Sequence, residues 1–161
     1  MKVRLGFVSN SSSSNYIIRI PRMNFEELAR LLYREYSWGF FNVATISATI
    51  NKRIRKLKEY EKKLARQENP LANECYGELI KEQKGLLKKL SDISNDKDLV
   101  EFVLDYNHIS TTKESNGCAL SYWTDMHNDF ITGMNDLFKE IVLFLAFDTS
   151  LKINYERSDE S

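Results

Sequence analysis

Gly6-Phe7-Val8-Ser9-Asn10-Ser11-Ser12-Ser13-Ser14-Asn15-Tyr16 decides how the chain is read. On its N-terminal side, Lys2 to Val8 alternates: Val3, Leu5 and Phe7 point one way and Lys2, Arg4 and Gly6 the other. On its C-terminal side, Tyr16, Ile18 and Ile20 share a face and Arg19 lies opposite. A period of two is that of a half-buried strand. Pro21 ends the second strand, because proline has no N–H to give to a ladder. The polar run Ser9–Ser14 then reads as a loop, and the segment as an antiparallel hairpin of strands 2–8 and 15–20.

Helical periodicity follows. Asn24 is a good N-cap, with Glu26 and Glu27 in the first turn, and Phe25, Leu28, Leu31 and Leu32 carry a helix to about Tyr36. Ser37-Trp38-Gly39-Phe40-Phe41-Asn42 breaks it. Its aromatics read as core, as a lid over the next helix, or as an exposed binding patch. Residues 45–68 form the most basic element, with Ile46, Ile50, Ile54, Leu57 and Leu64 as one apolar stripe. After Pro70, Ala72, Tyr76, Leu79, Leu86, Leu90 and Ile93 recur at helical steps. Two such stripes joined by a short turn predict an antiparallel helical hairpin over 45–93. In that pairing Leu57 lies near Gln83 and Glu61 near Leu79, two polar residues that weaken the seam.

Asn95 or Asp96 caps a helix through Leu99, Phe102, Val103 and Tyr106, and residues 110–117 read as a polar loop. Strands are expected at 118–124 and 152–157, and a helix within 129–148. Ser158 to Ser161 is expected to fray. The expected fold class is α+β. A small, mostly antiparallel sheet of about four strands packs with helices, and a projecting antiparallel helical hairpin is added. The chain reads as a single domain, 1–161, with 45–93 as an insertion.

Composition sets bounds. An apolar fraction of 42%, with 9 Phe and 8 Tyr, opposes disorder. Net charge is zero, yet residues 1–91 carry 18 Lys/Arg against 9 Asp/Glu, and residues 92–161 carry 5 against 14. This asymmetry suits an internal electrostatic fit, head-to-tail self-association, or two different partner surfaces. Cys75 and Cys118 lack metal-type spacing; one disulfide between them is the alternative to the favoured reading, two free buried thiols in a reducing cytosol. No run approaches the roughly 20 apolar residues of a membrane span, so no membrane partner is expected and the chain reads as cytoplasmic.

Three sites are candidates. The loop Ser9, Asn10, Ser11, Ser12, Ser13 and Ser14 offers hydroxyls and backbone N–H groups to an anion or nucleotide, or as a solvated turn caps its own backbone. It lacks P-loop spacing, and no neighbouring base marks one serine as a nucleophile. Asp125, His127 and Asp129, if extended, could offer two carboxylates and an imidazole to a divalent metal; otherwise the segment is a turn and helix cap. The helix 45–68 sets Lys52, Arg53, Arg55, Lys56, Lys58, Lys62, Lys63 and Arg66 against Glu59, Glu61 and Glu68. It could lie along phosphates, dock on an acidic protein, or be a solvated face. With one aromatic, Tyr60, it does not suggest base stacking. No catalytic set stands out, the reading leans away from an enzyme, and no cofactor is expected.

Residues 4–16, Arg-Leu-Gly-Phe-Val-Ser-Asn-Ser-Ser-Ser-Ser-Asn-Tyr, resemble the opening of a broad set of uncharacterised phage and prophage-type proteins. Those begin Gly-Phe-Val-Ser-Asn-Ser-Ser-Ser-Ser-Ser-Phe and continue into a strand; this chain departs at Asn15 and Tyr16. The segment from Trp123 to 152–157 loosely looks like the ends of such proteins. The resemblance implies a phage or mobile-element accessory protein acting in the bacterial host cytosol, and carries no activity with it. The expected role is binding, with inhibition as one outcome, of a host macromolecule, as in host takeover or anti-defence. A bacterial host protein is the favoured partner, reached through the hairpin and Trp38, Phe40 and Phe41. Nucleic-acid binding by helix 45–68 and a ligand-binding or enzymatic serine loop are the alternatives.

Overall fold

The computed structural model describes residues 13–67, 75–124 and 136–160. Its elements run β1 (Ser13–Pro21), α1 (Phe25–Tyr36), α2 (Val43–Arg66), α3 (Gly77–Ser91), α4 (Asp96–Tyr106), β2 (Ile109–Glu114), β3 (Gly117–Thr124), α5 (Asp136–Phe147) and β4 (Asn154–Glu160). The fold is α+β: among the described residues, five helices and one four-stranded antiparallel sheet of order β2-β3-β1-β4. Contacts divide the chain into two compact units, Met1–Leu32 with Val103–Ser161, and Tyr33–Phe102.

The first unit holds the sheet. β1 is central: Ile18 stands opposite Leu120 of β3 on one edge and Tyr155 of β4 on the other. Tyr16, Ile18 and Ile20 are buried, as their alternation requires, and Cys118, Leu120 and Ile109 join them from β3 and β2. Both edges of β1 are taken, so its partners are β3 and β4 and not the N-terminal strand expected beside it. Backbone pairing is not bound to the nearest segment: about a hundred residues on, β3 sets Leu120 and Cys118 opposite Ile18 and Ile20, and further on the largely polar β4 sets Tyr155 opposite Ile18. Residues 2–8 lie outside the described residues.

Two further expectations are corrected. The polar loop at 110–117 is strand β2 and a tight turn. Only Ile109 of β2 is buried and the next four residues are exposed, so the strand carries no apolar alternation. It is held as an edge by backbone pairing with β3 and by two threonines that favour extended backbone. At the other end, 158–160 do not fray but continue β4 beside Ser13–Asn15.

The turn between β2 and β3 depends on Gly117, whose φ of +135° disfavours any side chain. A Cβ there would also run into the carbonyl oxygen of Ile20 and approach the Pro21 Cα to 2.9 Å. On the inward face, the Tyr122 ring lies between Tyr16 (6.3 Å) and Phe138 of α5 (5.8 Å). α5 buries Leu137, Phe138, Ile141, Val142, Phe144 and Leu145.

Three of the helices, α1, α2 and α4, start where asparagines cap them. The Glu27 N–H donates to Asn24 Oδ1 at 2.8 Å, Thr45 N–H to Asn42 Oδ1 at 3.2 Å, and Asp98 N–H to Asn95 Oδ1 at 2.9 Å. Each cap satisfies one of the donors that a helix leaves open at its first turn.

In the second unit, α2 and α3 pack on one another. The Tyr60 ring lies 6.0 Å from that of Tyr76, and a Cβ on Gly77 would lie 3.7 Å from Glu61 Oε2. The end of α2 therefore meets the start of α3, as an antiparallel hairpin demands. Ile46, Ile50 and Ile54 are buried from α2, and Ile80, Gln83 and Leu90 from α3. The expected polar intrusion in the seam is real: Gln83 is buried and Glu61 half-buried.

Candidate functional site

The surface with the most unusual chemistry is the outer side of α2. Its apolar stripe turns Ile46, Ile50 and Ile54 inward, and helical spacing then sends the cations outward. All eight, Lys52, Arg53, Arg55, Lys56, Lys58, Lys62, Lys63 and Arg66, are exposed. Lys63 Nζ lies 5.8 Å from the centre of the Tyr60 ring, one turn back. Among the described residues, Lys52, Arg55, Lys56, Lys58, Lys62 and Arg66 form no ion pair. Of the three glutamates set against them, Glu61 turns toward α3, Glu59 stays on the outer face, and Glu68 lies outside the described residues.

α3 enlarges this surface with Lys81, Lys84, Lys88 and Lys89, all exposed. Lys81, Lys84 and Lys88 were legible in the sequence by their spacing of three and four residues, but are not among the candidate residues named above. Together α2 and α3 carry 12 Lys/Arg against 4 Glu. Such a field attracts polyanions over a distance of about one Debye length.

The aromatic segment splits. Phe41 is buried and packs edge-on against Tyr36 at 6.3 Å, and half-buried Phe40 lies 5.6 Å from the same ring. Both are core. Trp38 is 78% exposed, and its indole N–H donates to the Glu35 carbonyl at 2.9 Å, which pins the ring at the end of α1.

The serine loop is only partly in view. Ser13 and Ser14 are the first residues of β1, in register with Glu160 and Asp159, and belong to the ladder rather than the loop. Ser9, Asn10, Ser11 and Ser12 lie outside the described residues, as do Asp125, His127 and Asp129. Among the described residues no group of three or more His, Cys, Asp or Glu side chains gathers to hold a metal. The two cysteines are free thiols, Cys118 buried but Cys75 exposed, where both were expected inside. Cys75 directly precedes Tyr76, the residue at the head of α3.

On the sheet, a shallow depression of roughly 470 Å³ is lined by Arg19, Lys113, Glu114, Asn116 and Asn154 among others. Its guanidinium is already engaged: Arg19 Nη1 lies 2.6 Å from Glu156 and Nε 3.4 Å from Glu114. The hydrogen bond from Arg19 to Glu156 raises the arginine pKa further above its usual value. A cation held between two carboxylates has little left for an anionic ligand.

Compared with known proteins, the chain matches no family model, no curated protein and no solved structure. Among the described residues no helix is long and apolar enough to cross a membrane.

Proposed function

We propose that this chain is a non-enzymatic binding protein whose helical hairpin docks on an acidic surface of a macromolecule. The observation that carries this reading is the outer face of α2, where six cations are exposed without an ion pair among the described residues. Surface charge left uncompensated within a chain is available for long-range attraction and for contacts made on arrival. The resemblance of residues 4–16 to phage and prophage-type proteins makes the setting a phage or mobile element and the partner a component of the bacterial host. Trp38, pinned and exposed, supplies an aromatic anchor in the same unit.

The test is chromatography of the full chain on immobilised heparin. Reversing Lys52→Glu, Arg55→Glu and Lys62→Glu together should move elution to much lower salt, while circular dichroism stays that of wild type because all three residues are exposed. Identical elution of wild type and variant would remove the hairpin as the binding element.

A further inference from the structure

Building on the reading above, we infer that the outer face of α2 binds the phosphate backbones that flank the major groove of duplex DNA. Charge is distributed around the helix in a definite pattern. At about 100° per residue, the buried Ile46–Ile50–Ile54 stripe fixes which arc faces solvent. Arg55, Lys58 and Lys62 then fall along one flank of that arc, and Lys52, Lys56 and Lys63 along the other. Glu59 and Arg66 lie on the line between. Two cation rows separated by a narrow ridge match two phosphate strands separated by a groove.

Dimensions agree. An α-helix with side chains is about 10–12 Å across, and the major groove of B-form DNA is about 12 Å wide. From Lys52 to Arg66 the helix advances about 21 Å, which is close to six base-pair steps at 3.4 Å each. The ridge itself is narrow toward the N-terminus, where Ala44, Thr45, Ala48 and Thr49 line the exposed face and allow close approach. Duplex RNA is the poorer fit, because its A-form major groove is deep and too narrow for such a helix.

The alternative, an acidic protein, fits this face less well. Interface centres are rich in aromatic and apolar anchors and poor in lysine. The residues of α2 spaced as anchors are the buried isoleucines, and the outer arc from Lys52 to Arg66 offers Lys, Arg and Glu59 instead. Stacking on single strands is also disfavoured. Tyr60 lies between Tyr76 and Lys63, and α2 has no other aromatic residue.

The test is fluorescence anisotropy of the full chain with a labelled duplex of about 20 base pairs and arbitrary sequence, titrated from about 50 to 200 mM NaCl. The same experiment runs with one strand alone, with duplex RNA and with polyglutamate. Duplex DNA should bind most tightly, with a log–log salt slope of about −5 for six phosphate contacts. Lys58→Gln with Lys62→Gln, and separately Lys52→Gln with Lys56→Gln, should each reduce the slope by about 2. Glu59→Gln should tighten binding by about threefold, since it removes the one carboxylate between the rows. Equal binding of duplex RNA overturns the groove assignment, and a single strand bound as tightly as the duplex overturns it too. Binding of polyglutamate through these cations without binding of duplex overturns the inference and leaves an acidic protein as the partner, so the broader reading survives. Absence of binding to every probe at the lowest salt defeats both.

Discussion

Cys118 faces inward from β3, 2% exposed, and burial, followed by the Glu114 and Glu27 carboxylates, pushes its thiol up to about 11. Tyr155, on β4, is pushed up to about 12, first by burial and then by Tyr16. In both cases the folded state favours the neutral, protonated form. The folded protein therefore holds its protons at a pH where the unfolded chain releases them, and stability falls as pH rises. For Cys118 the stabilisation is complete below pH about 9 and is lost toward pH 11. The melting temperature should drop across that interval, and Cys118→Ala should flatten the part due to the thiol. The cysteines also differ in access. In native protein near neutral pH a thiol reagent should modify one equivalent, at Cys75, and two after denaturation. Two equivalents in the native protein would contradict the inward placement of Cys118.

At the level of the element, capping explains why some boundaries were legible in advance and others were not. Asn24 and Asn95 sit immediately before their apolar repeats, and both caps are seen where the residue types placed them. Asn95 also donates from Nδ2 to Asp98 Oδ2 at 2.8 Å, so its side chain closes the turn from both sides. Asn95→Ala should lower stability by about 1 kcal/mol, read from urea denaturation; an unchanged midpoint would mean that α4 is held by its buried face alone. β2 was illegible because an exposed edge strand has nothing apolar to alternate. Its existence is a property of β3, which needs a partner on that edge. The pairing of β1 was illegible for a different reason. Alternation shows which side chains turn inward, but it does not name the neighbouring strand. Within the binding surface, the eight cations of α2 followed from the apolar stripe, whose phase sends them outward. The loss of Glu61 from the balance did not, because it depends on where α3 lies.

At the scale of the whole molecule, the two units are built on opposite plans. The unit Tyr33–Phe102 is one continuous stretch of chain, whereas the other joins Met1–Leu32 to Val103–Ser161. Local helical contacts form quickly, and strand pairing across long separations forms slowly. Refolding followed by circular dichroism should therefore gain helix early, with the tertiary signal of Tyr122 and Tyr16 arriving in a slower phase. Exchanging Ile18→Ala in the central strand should destabilise the chain by about 3 kcal/mol, as expected of a large-to-small change at a fully buried site. A single phase common to both probes would mean that the two units fold as one.

The central place of β1 also bears on how the protein is made. β1 leaves the ribosome before both strands that flank it: β3 follows by about a hundred residues and β4 by about 140. Until those strands emerge, its two edges and its Tyr16, Ile18 and Ile20 face lack β3 and β4, while the basic hairpin, whose two helices both precede β3, can already close. A bare apolar strand is a template for pairing with other chains. The nascent protein thus has a period of exposure set by its own strand order, and any interruption of synthesis before Asn154 leaves that exposure permanent.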